Sequence, residues 1–418
     1  MPSSDRRARL IGAAVLVPTV VALLAACSST GAGTAAPSSG STTGSTTAPV
    51  SKGVSKVSIE LVSGASGDEC RVSHTSAKAG PTTFTVANTS ATGITEVELV
   101  QGQRIVGEKE NLAPGLAPVA FTSTLTGGTY AVVCPGASTE TIPFTVTGTA
   151  PAGSGSDAAS LLADGTRTYG EYAASTLADM TTAVQKLRQA VDSGDVTAAK
   201  RQYALARPFY EKVESDVEGF VLPGSSPTDN KGNLDYLIDM RASNLDPSVG
   251  WSGFHAIERD LWQGGRITAT TKRYAADLTE NVGKLVSLAK TLTYKPEDLA
   301  NGAAGLLEEV QSGKIKGEEE LYSHLDLVDF AANVEGAEQA FANLEPGLKK
   351  IDPVLTQQVA DRFTAVTDAL KAYQDPEQAG GYELYTASVR AKDATALSRL
   401  VASLQEPLSR IAEKVATA

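Results

Sequence analysis

Two hydrophobic periodicities divide this chain. Between residues 55 and 149 apolar positions alternate with polar or small ones: Val57, Ile59 and Leu61, then Phe84 and Val86, Val97 and Leu99, and Tyr130 and Val132. Phe144 and Val146 keep the same habit just after Pro143. A period of two places every second side chain on one face, as in a strand with one buried side. Turn-forming clusters at 79–81, 88–90, 113–115 and 126–128 separate these runs. Short, regularly spaced strands of this kind predict a β-sandwich. After residue 156 the period becomes 3.6. Gly and Pro thin out, and helices are predicted over 158–191, 196–220, 253–262, 270–292, 296–311, 326–344, 353–373, 382–391 and 394–416. Residues 157–418 therefore read as an antiparallel helical bundle of more than one four-helix unit. The fold class is multidomain, β followed by all-α.

The segments outside these patterns carry an address and two connectors. Arg6, Arg7 and Arg9 precede an apolar run from Leu10 to Leu24, which is too short and too abruptly ended for a transmembrane helix. Leu24-Ala25-Ala26-Cys27 resembles the bacterial lipobox. That resemblance implies a signal peptide over 1–26, lipid on the Cys27 thiol, and a body held at the extracytoplasmic face of the cell membrane. More than one acyl chain holds a protein to a membrane far better than one. An uncleaved anchor or plain secretion are the rival readings. Residues 27–54, rich in Ser, Thr, Gly and Ala, read as a flexible tether, and 150–156 as a shorter linker.

The formal charge is −12, and the cleaved segment would remove three arginines against one aspartate. So acidic a chain repels phosphate backbones, which excludes nucleic acid as a partner and favours cations as ligands. With Cys27 lipidated, Cys70 and Cys134 remain. In an oxidising compartment such a pair either forms a disulfide or serves a metal.

The chain has only three histidines, His74, His255 and His324. His255 and Glu258 stand three apart in a predicted helix, so both lie on one face, close enough to share a metal ion. Two further segments can face them: Arg207 to Glu214, which carries Glu211 and Glu214, and Leu234 to Arg241, which carries Asp239. Four carboxylates and one imidazole suit ferrous or ferric iron, manganese or zinc. The alternative is a solvated acidic face around a core histidine. In the β region Glu96 and Glu98 alternate along a strand and share a face. With Cys70 and Cys134 they form a tentative second set. A blue-copper site would need two histidines, a cysteine and an axial methionine, and this region offers only His74 and no methionine. His324, Asp326 and Glu335 form a secondary stretch, read either as support for a metal or as helix capping and interhelix bonding.

Ordered motifs then add a resemblance. Tyr210-Glu211-x-Val213-Glu214, Ile238-Asp239-x-Arg241 and Gly253-Phe254-His255-x-x-Glu258 come first. Glu308-Glu309-Val310, Lys314-Ile315-x-Gly317-Glu318-Glu319, Tyr322-Ser323-His324-x-Asp326 and Asp329-Phe330-x-Ala332-Asn333-Val334-Glu335-Gly336 follow. Together they resemble the imelysin-like domain of the EfeO family over nearly all of 157–418. The resemblance implies a cupredoxin-like β-domain over 55–149, and metal on the bundle at Glu211, Glu214, Asp239, His255 and Glu258. The stretch from Gly219 to Asn233 looks longer than the family pattern. The resemblance also implies a non-enzymatic iron-binding protein of an EfeUOB-type uptake system. Its partners would be a membrane iron permease and a haem peroxidase. Iron is the expected metal, with copper a candidate in the β-domain and zinc a candidate in vitro. Two other functions compete. An imelysin-type metallopeptidase would use His-x-x-Glu, but the helical His-Glu-x-x-His signature is absent. A polysaccharide-binding surface protein would lean on exposed aromatics, for which Trp251 and Trp262 are the candidates.

Overall fold

The computed structural model describes residues 47–102, 104–150, 155–226 and 228–418. The expected signal peptide, Cys27 and most of the tether lie outside the described residues. The strands are β1 (Val50–Ser51), β2 (Val54–Gly64), β3 (Gly67–Val72), β4 (Ser76–Lys78) and β5 (Gly80–Asn88). They continue as β6 (Val97–Gln101), β7 (Arg104–Lys109), β8 (Val119–Leu125), β9 (Gly128–Val133) and β10 (Thr141–Thr147). One sheet has the order β1-β2-β5-β8, with β3 also paired to β2; the other runs β4-β10-β9-β6-β7. Every alternating apolar residue named above is buried in one core shared by the two sheets. Phe84 and Phe121, opposite one another across β5 and β8, stack at 5.1 Å. Phe144 of the second sheet meets Phe84 edge-on at 5.4 Å.

One expectation changes here, and one open alternative closes. The chain joins the sheet earlier than a tether ending at 54 allows, because Lys52 and Gly53 both take positive φ and fold Val50–Ser51 back onto Val54–Ser55. Such a two-residue turn matches the natural twist of paired strands. Cys70 on β3 is bonded to Cys134 just after β9, so the pair ties sheet to sheet.

The helices are α1 (Asp157–Ser193), α2 (Val196–Glu211), α3 (Glu214–Val217), α4 (Leu234–Asp239), α5 (Gly253–Trp262) and α6 (Ala269–Ala289). They continue as α7 (Pro296–Ser312), α8 (Asp326–Ile351), α9 (Pro353–Leu370), α10 (Ala387–Leu408) and α11 (Ile411–Ala416). The Ser156 hydroxyl accepts from Ala159 N–H to start α1, and Gly194 in the left-handed region ends it. Asp195 then caps α2 through Ala198 N–H. Along its length α1 packs against α2, α6 and α8.

The predicted helix 196–220 breaks after Glu211. At this break α8 comes so close that a Cβ on Gly336 would lie 2.3 Å from the Lys212 carbonyl oxygen, and Asn333 Nδ2 donates to the freed Glu211 carbonyl at 2.9 Å. Predicted helices 382–391 and 394–416 are instead α10 and α11, with Pro407 near the boundary denying the ladder a donor. Against the bundle, β8 meets α7 and α11. Asn301 exchanges hydrogen bonds with the Thr122 backbone, and Lys109 Nζ pairs with Glu308 at 2.8 Å. Among the described residues no helix is long and apolar enough to cross a membrane.

Candidate metal centre

The centre forms where α2, α4, α5 and the segment between α7 and α8 converge. Gly253 makes the convergence feasible. Its φ is +68°, and a Cβ there would sit 2.0 Å from the Ile238 carbonyl oxygen, so only glycine lets α5 start directly against α4. Two residues later His255 lies beside Asp239, the last residue of α4. The three-residue spacing then brings Glu258 to the same imidazole, as its sequence spacing requires.

His255 is almost wholly buried among carboxylates. Its Nδ1 stands 3.2 Å from Glu258 Oε2 and 3.8 Å from Glu320 Oε1. Its Nε2 stands 3.6 Å from both Asp239 Oδ1 and Glu319 Oε1. Two groups of donors within 4.8 Å of one another result: Asp239, His255 and Glu319, and His255, Glu258 and Glu320. Glu258 is held from behind, because its Oε1 accepts from the Tyr322 and Ser323 backbone N–H groups, each at 2.7 Å. Glu320 accepts from the Tyr203 hydroxyl at 2.8 Å and from the Ser323 hydroxyl.

Arg207 stands inside this cluster with no exposed surface. It pairs with Asp239 and Glu211, and with Asp329, Glu320 and Glu319 at 3.1, 3.2 and 3.3 Å. The guanidinium also lies 5.3 Å from the centre of the Phe254 ring, which orients it further. Lys314 adds a second buried cation, 2.9 Å from Glu211, 3.7 Å from Glu319 and 3.8 Å from Glu214. Buried charge on this scale persists only when paired.

The resulting proton affinities diverge. Burial pulls His255 downward, but Glu258, Glu319 and Asp239 around it prevail and hold it well above the ordinary imidazole value. Burial raises Asp239 to about 7 against the opposing charges of Arg207 and His255. Burial likewise opposes ionisation of Glu319, yet Lys314, Arg241 and His255 hold it well below the carboxylate range. Glu320 goes the other way, raised by burial and then by Glu258 and Asp329. Adjacent residues of one loop thus carry opposite preferences.

Of the main expected set, Asp239, His255 and Glu258 come together. Glu211 and Glu214 do not reach the imidazole: Glu211 meets Arg207 and Lys314, and Glu214 lies by Lys314. The sequence reading missed Glu319 and Glu320 as donors. Both sit in a run of three glutamates after Gly317, which reads as a solvated loop until burial is known. In the secondary stretch Asp326 accepts from Glu320 N–H at 3.2 Å and so props the glutamate loop. Asp326 does not cap its own helix. His324 takes φ +61° and its carbonyl accepts from Tyr385 N–H, while Glu335 turns outward to Lys212 at 2.7 Å.

The tentative β-domain set loses its sulfurs, because Cys70 and Cys134 are bonded to each other. Copper does not fit what remains, since His74 is the only imidazole there and no methionine is present. Glu96 gathers instead with Glu108 and Glu110. Glu98, opposite Glu108 across β6 and β7, is buried and raised to about 7, mainly by burial and then by Glu108. Arg241 links this carboxylate group to the bundle, at 4.0 Å from Glu110, 2.6 Å from Glu309 and 3.2 Å from Glu319.

Comparison with known proteins gives this centre a context. The imelysin family model matches residues 165–411. A protein of Escherichia coli (strain K12) named iron uptake system component EfeO is 32% identical over 347 residues, covering 82% of this chain and 88% of its own. An Efem/EfeO family lipoprotein of Staphylococcus aureus (strain MRSA252) is 35% identical over 254 residues, 60% of this chain and 84% of its own. A solved structure from Parabacteroides distasonis, provisionally named an iron-regulated protein A precursor, superposes with a TM-score of 0.49 at 16% identity, covering 63% of this chain and 98% of that one. The imelysin match takes in over half of the chain, and the E. coli alignment is too long to fit within the helices alone; this chain belongs to the EfeO family.

Proposed function

We propose that this protein is a lipid-anchored, extracytoplasmic iron-binding component of an iron-uptake system, and that it captures iron at His255 and the carboxylates around it. The observation that carries this reading is the imidazole flanked by four buried carboxylates, Asp239, Glu258, Glu319 and Glu320, at 3.2–3.8 Å. Hard oxygen donors with one borderline nitrogen suit ferrous or ferric iron. The names of the E. coli and S. aureus relatives support an uptake role and a lipoprotein form. On this reading Cys27 carries the lipid after residues 1–26 are removed, and a cupredoxin-like β-domain precedes the imelysin-like bundle. Captured iron passes to a membrane permease, with a haem peroxidase as the partner that changes its oxidation state.

The protein acts as a carrier and not as a peptidase. The His255 side chain is enclosed, so a scissile peptide has no approach to it, and each neighbouring carboxylate already has a cationic or hydrogen-bonding partner. Calorimetric titration of the full chain with iron tests the reading. His255→Ala combined with Glu258→Ala should abolish high-affinity binding while circular dichroism still reports a folded helical protein. Unchanged affinity in that variant would remove the basis of the proposal.

A further inference from the structure

The two nitrogens of His255 have different surroundings, and the difference divides the carboxylates by role. Nδ1 is hydrogen-bonded to Glu258 Oε2 at 3.2 Å, with the Tyr203 hydroxyl at 3.5 Å. Nε2 is buried and has no hydrogen-bond partner among the described residues, although it points between Asp239 and Glu319. We infer that the metal binds on the Nε2 side, held by His255 Nε2, Asp239 and Glu319, and that Glu258 is a positioning residue and not a ligand. This inference rests on the metal reading given above and assigns roles within it.

Three observations converge on the assignment. Glu258 has its other oxygen fixed by two backbone N–H groups, at Tyr322 and Ser323. A carboxylate held that way orients the imidazole by accepting from Nδ1–H, which leaves the Nε2 lone pair for the metal; metal-bound histidines are usually fixed in this manner. Glu320 lies on the same side of the ring, 3.8 Å from Nδ1, where the Tyr203 and Ser323 hydroxyls donate to it, and so joins the support around Nδ1. On the other side both carboxylate oxygens lie 3.6 Å from Nε2. Ligand atoms about 2.1 Å from a common metal lie about 3.0–3.4 Å apart. Each oxygen therefore needs to approach Nε2 by only a few tenths of an ångström as the metal takes over from the Arg207 hydrogen bonds to the same two oxygens. Any proton on Nε2 leaves to solvent as the metal arrives. The His-x-x-Glu pair is then one ligand plus the residue that aims it, and Glu319, from the loop after Gly317, completes the set.

Nitrogen-15 NMR of the full chain labelled at histidine tests this directly, with Zn²⁺ as a diamagnetic probe and iron calorimetry alongside. The expected result is metallation at Nε2 of His255, with Nδ1 still protonated. Glu319→Gln and Asp239→Asn should each weaken iron binding more than Glu258→Gln, whose loss should fall in the range of about 10–100-fold seen for residues that orient a ligand. In Glu258→Gln the zinc-loaded His255 should also show a shifted Nδ1–H signal as its acceptor changes from carboxylate to amide, a change that a purely structural role would not cause. Metallation at Nδ1, or Glu258→Gln abolishing binding while Glu319→Gln retains it, overturns the assignment but leaves the centre in place. Zn²⁺ leaving the His255 signals unmoved, with His255→Ala binding iron normally, overturns the metal reading itself.

Discussion

Arg207 shows what holds so many carboxylates together without water. It has no exposed surface and makes five acidic contacts, so its loss would leave several buried charges uncompensated. Breaking a buried ion pair by removing one partner typically costs about 3–5 kcal/mol. Arg207→Met should therefore lower stability by that amount in urea unfolding of the metal-free protein, and added iron should restore part of it by binding the native state. A loss under 1 kcal/mol would mean that the acids neutralise themselves by protonation. Little of this was legible beforehand. Arg207 and Lys314 look like ordinary solvated cations in the sequence, and Glu319 and Glu320 look like loop acids. Residue type does not reveal which charges the fold will bury. His255, Glu258 and Asp239 were legible because scarcity and spacing single them out.

Among the elements, the α4–α5 junction decides whether the donors meet. Gly253 combines a positive φ with backbone contact, and left-handed φ in a non-glycine residue alone costs about 1–3 kcal/mol. Gly253→Ala should lower the melting temperature and also weaken iron binding, because α5 must back away from Ile238 and carry His255 from Asp239. Measuring both on one sample separates this from a generic loss of stability. If affinity holds while stability falls, α4 and α5 are not positioning the site. The periodicities located most elements, because alternation and the 3.6 repeat report which face is buried. They failed at the ends of elements. The break after Glu211 depends on the approach of α8 at Gly336 and Asn333, a long-range contact that no local pattern contains.

At the scale of the whole molecule, sheets and helices are joined by polar contacts at β8 and by the Lys109–Glu308 pair, while Arg241 runs from Glu110 to Glu319. The β region is closed separately by Cys70–Cys134, 64 residues apart in sequence. A loop of that length corresponds to about 4 kcal/mol in the chain-entropy account of cross-links. Unfolded but unreduced protein should show no titratable thiol at either position, and reduction should lower the urea midpoint of the sheet signal. Two free thiols would return both cysteines to the list of metal donors. The order of regions was legible from composition and period, and the disulfide was one of two open readings. The way the β region meets the bundle was not legible, since surface Lys, Asn and Glu residues find their partners only once both parts are folded.

The most direct measurement is iron K-edge X-ray absorption on the iron-loaded full chain, compared with His255→Gln. The account predicts one imidazole among oxygen ligands, with its outer-shell scattering lost in the variant. An all-oxygen shell in the wild type, or an imidazole signal that survives the substitution, would contradict it.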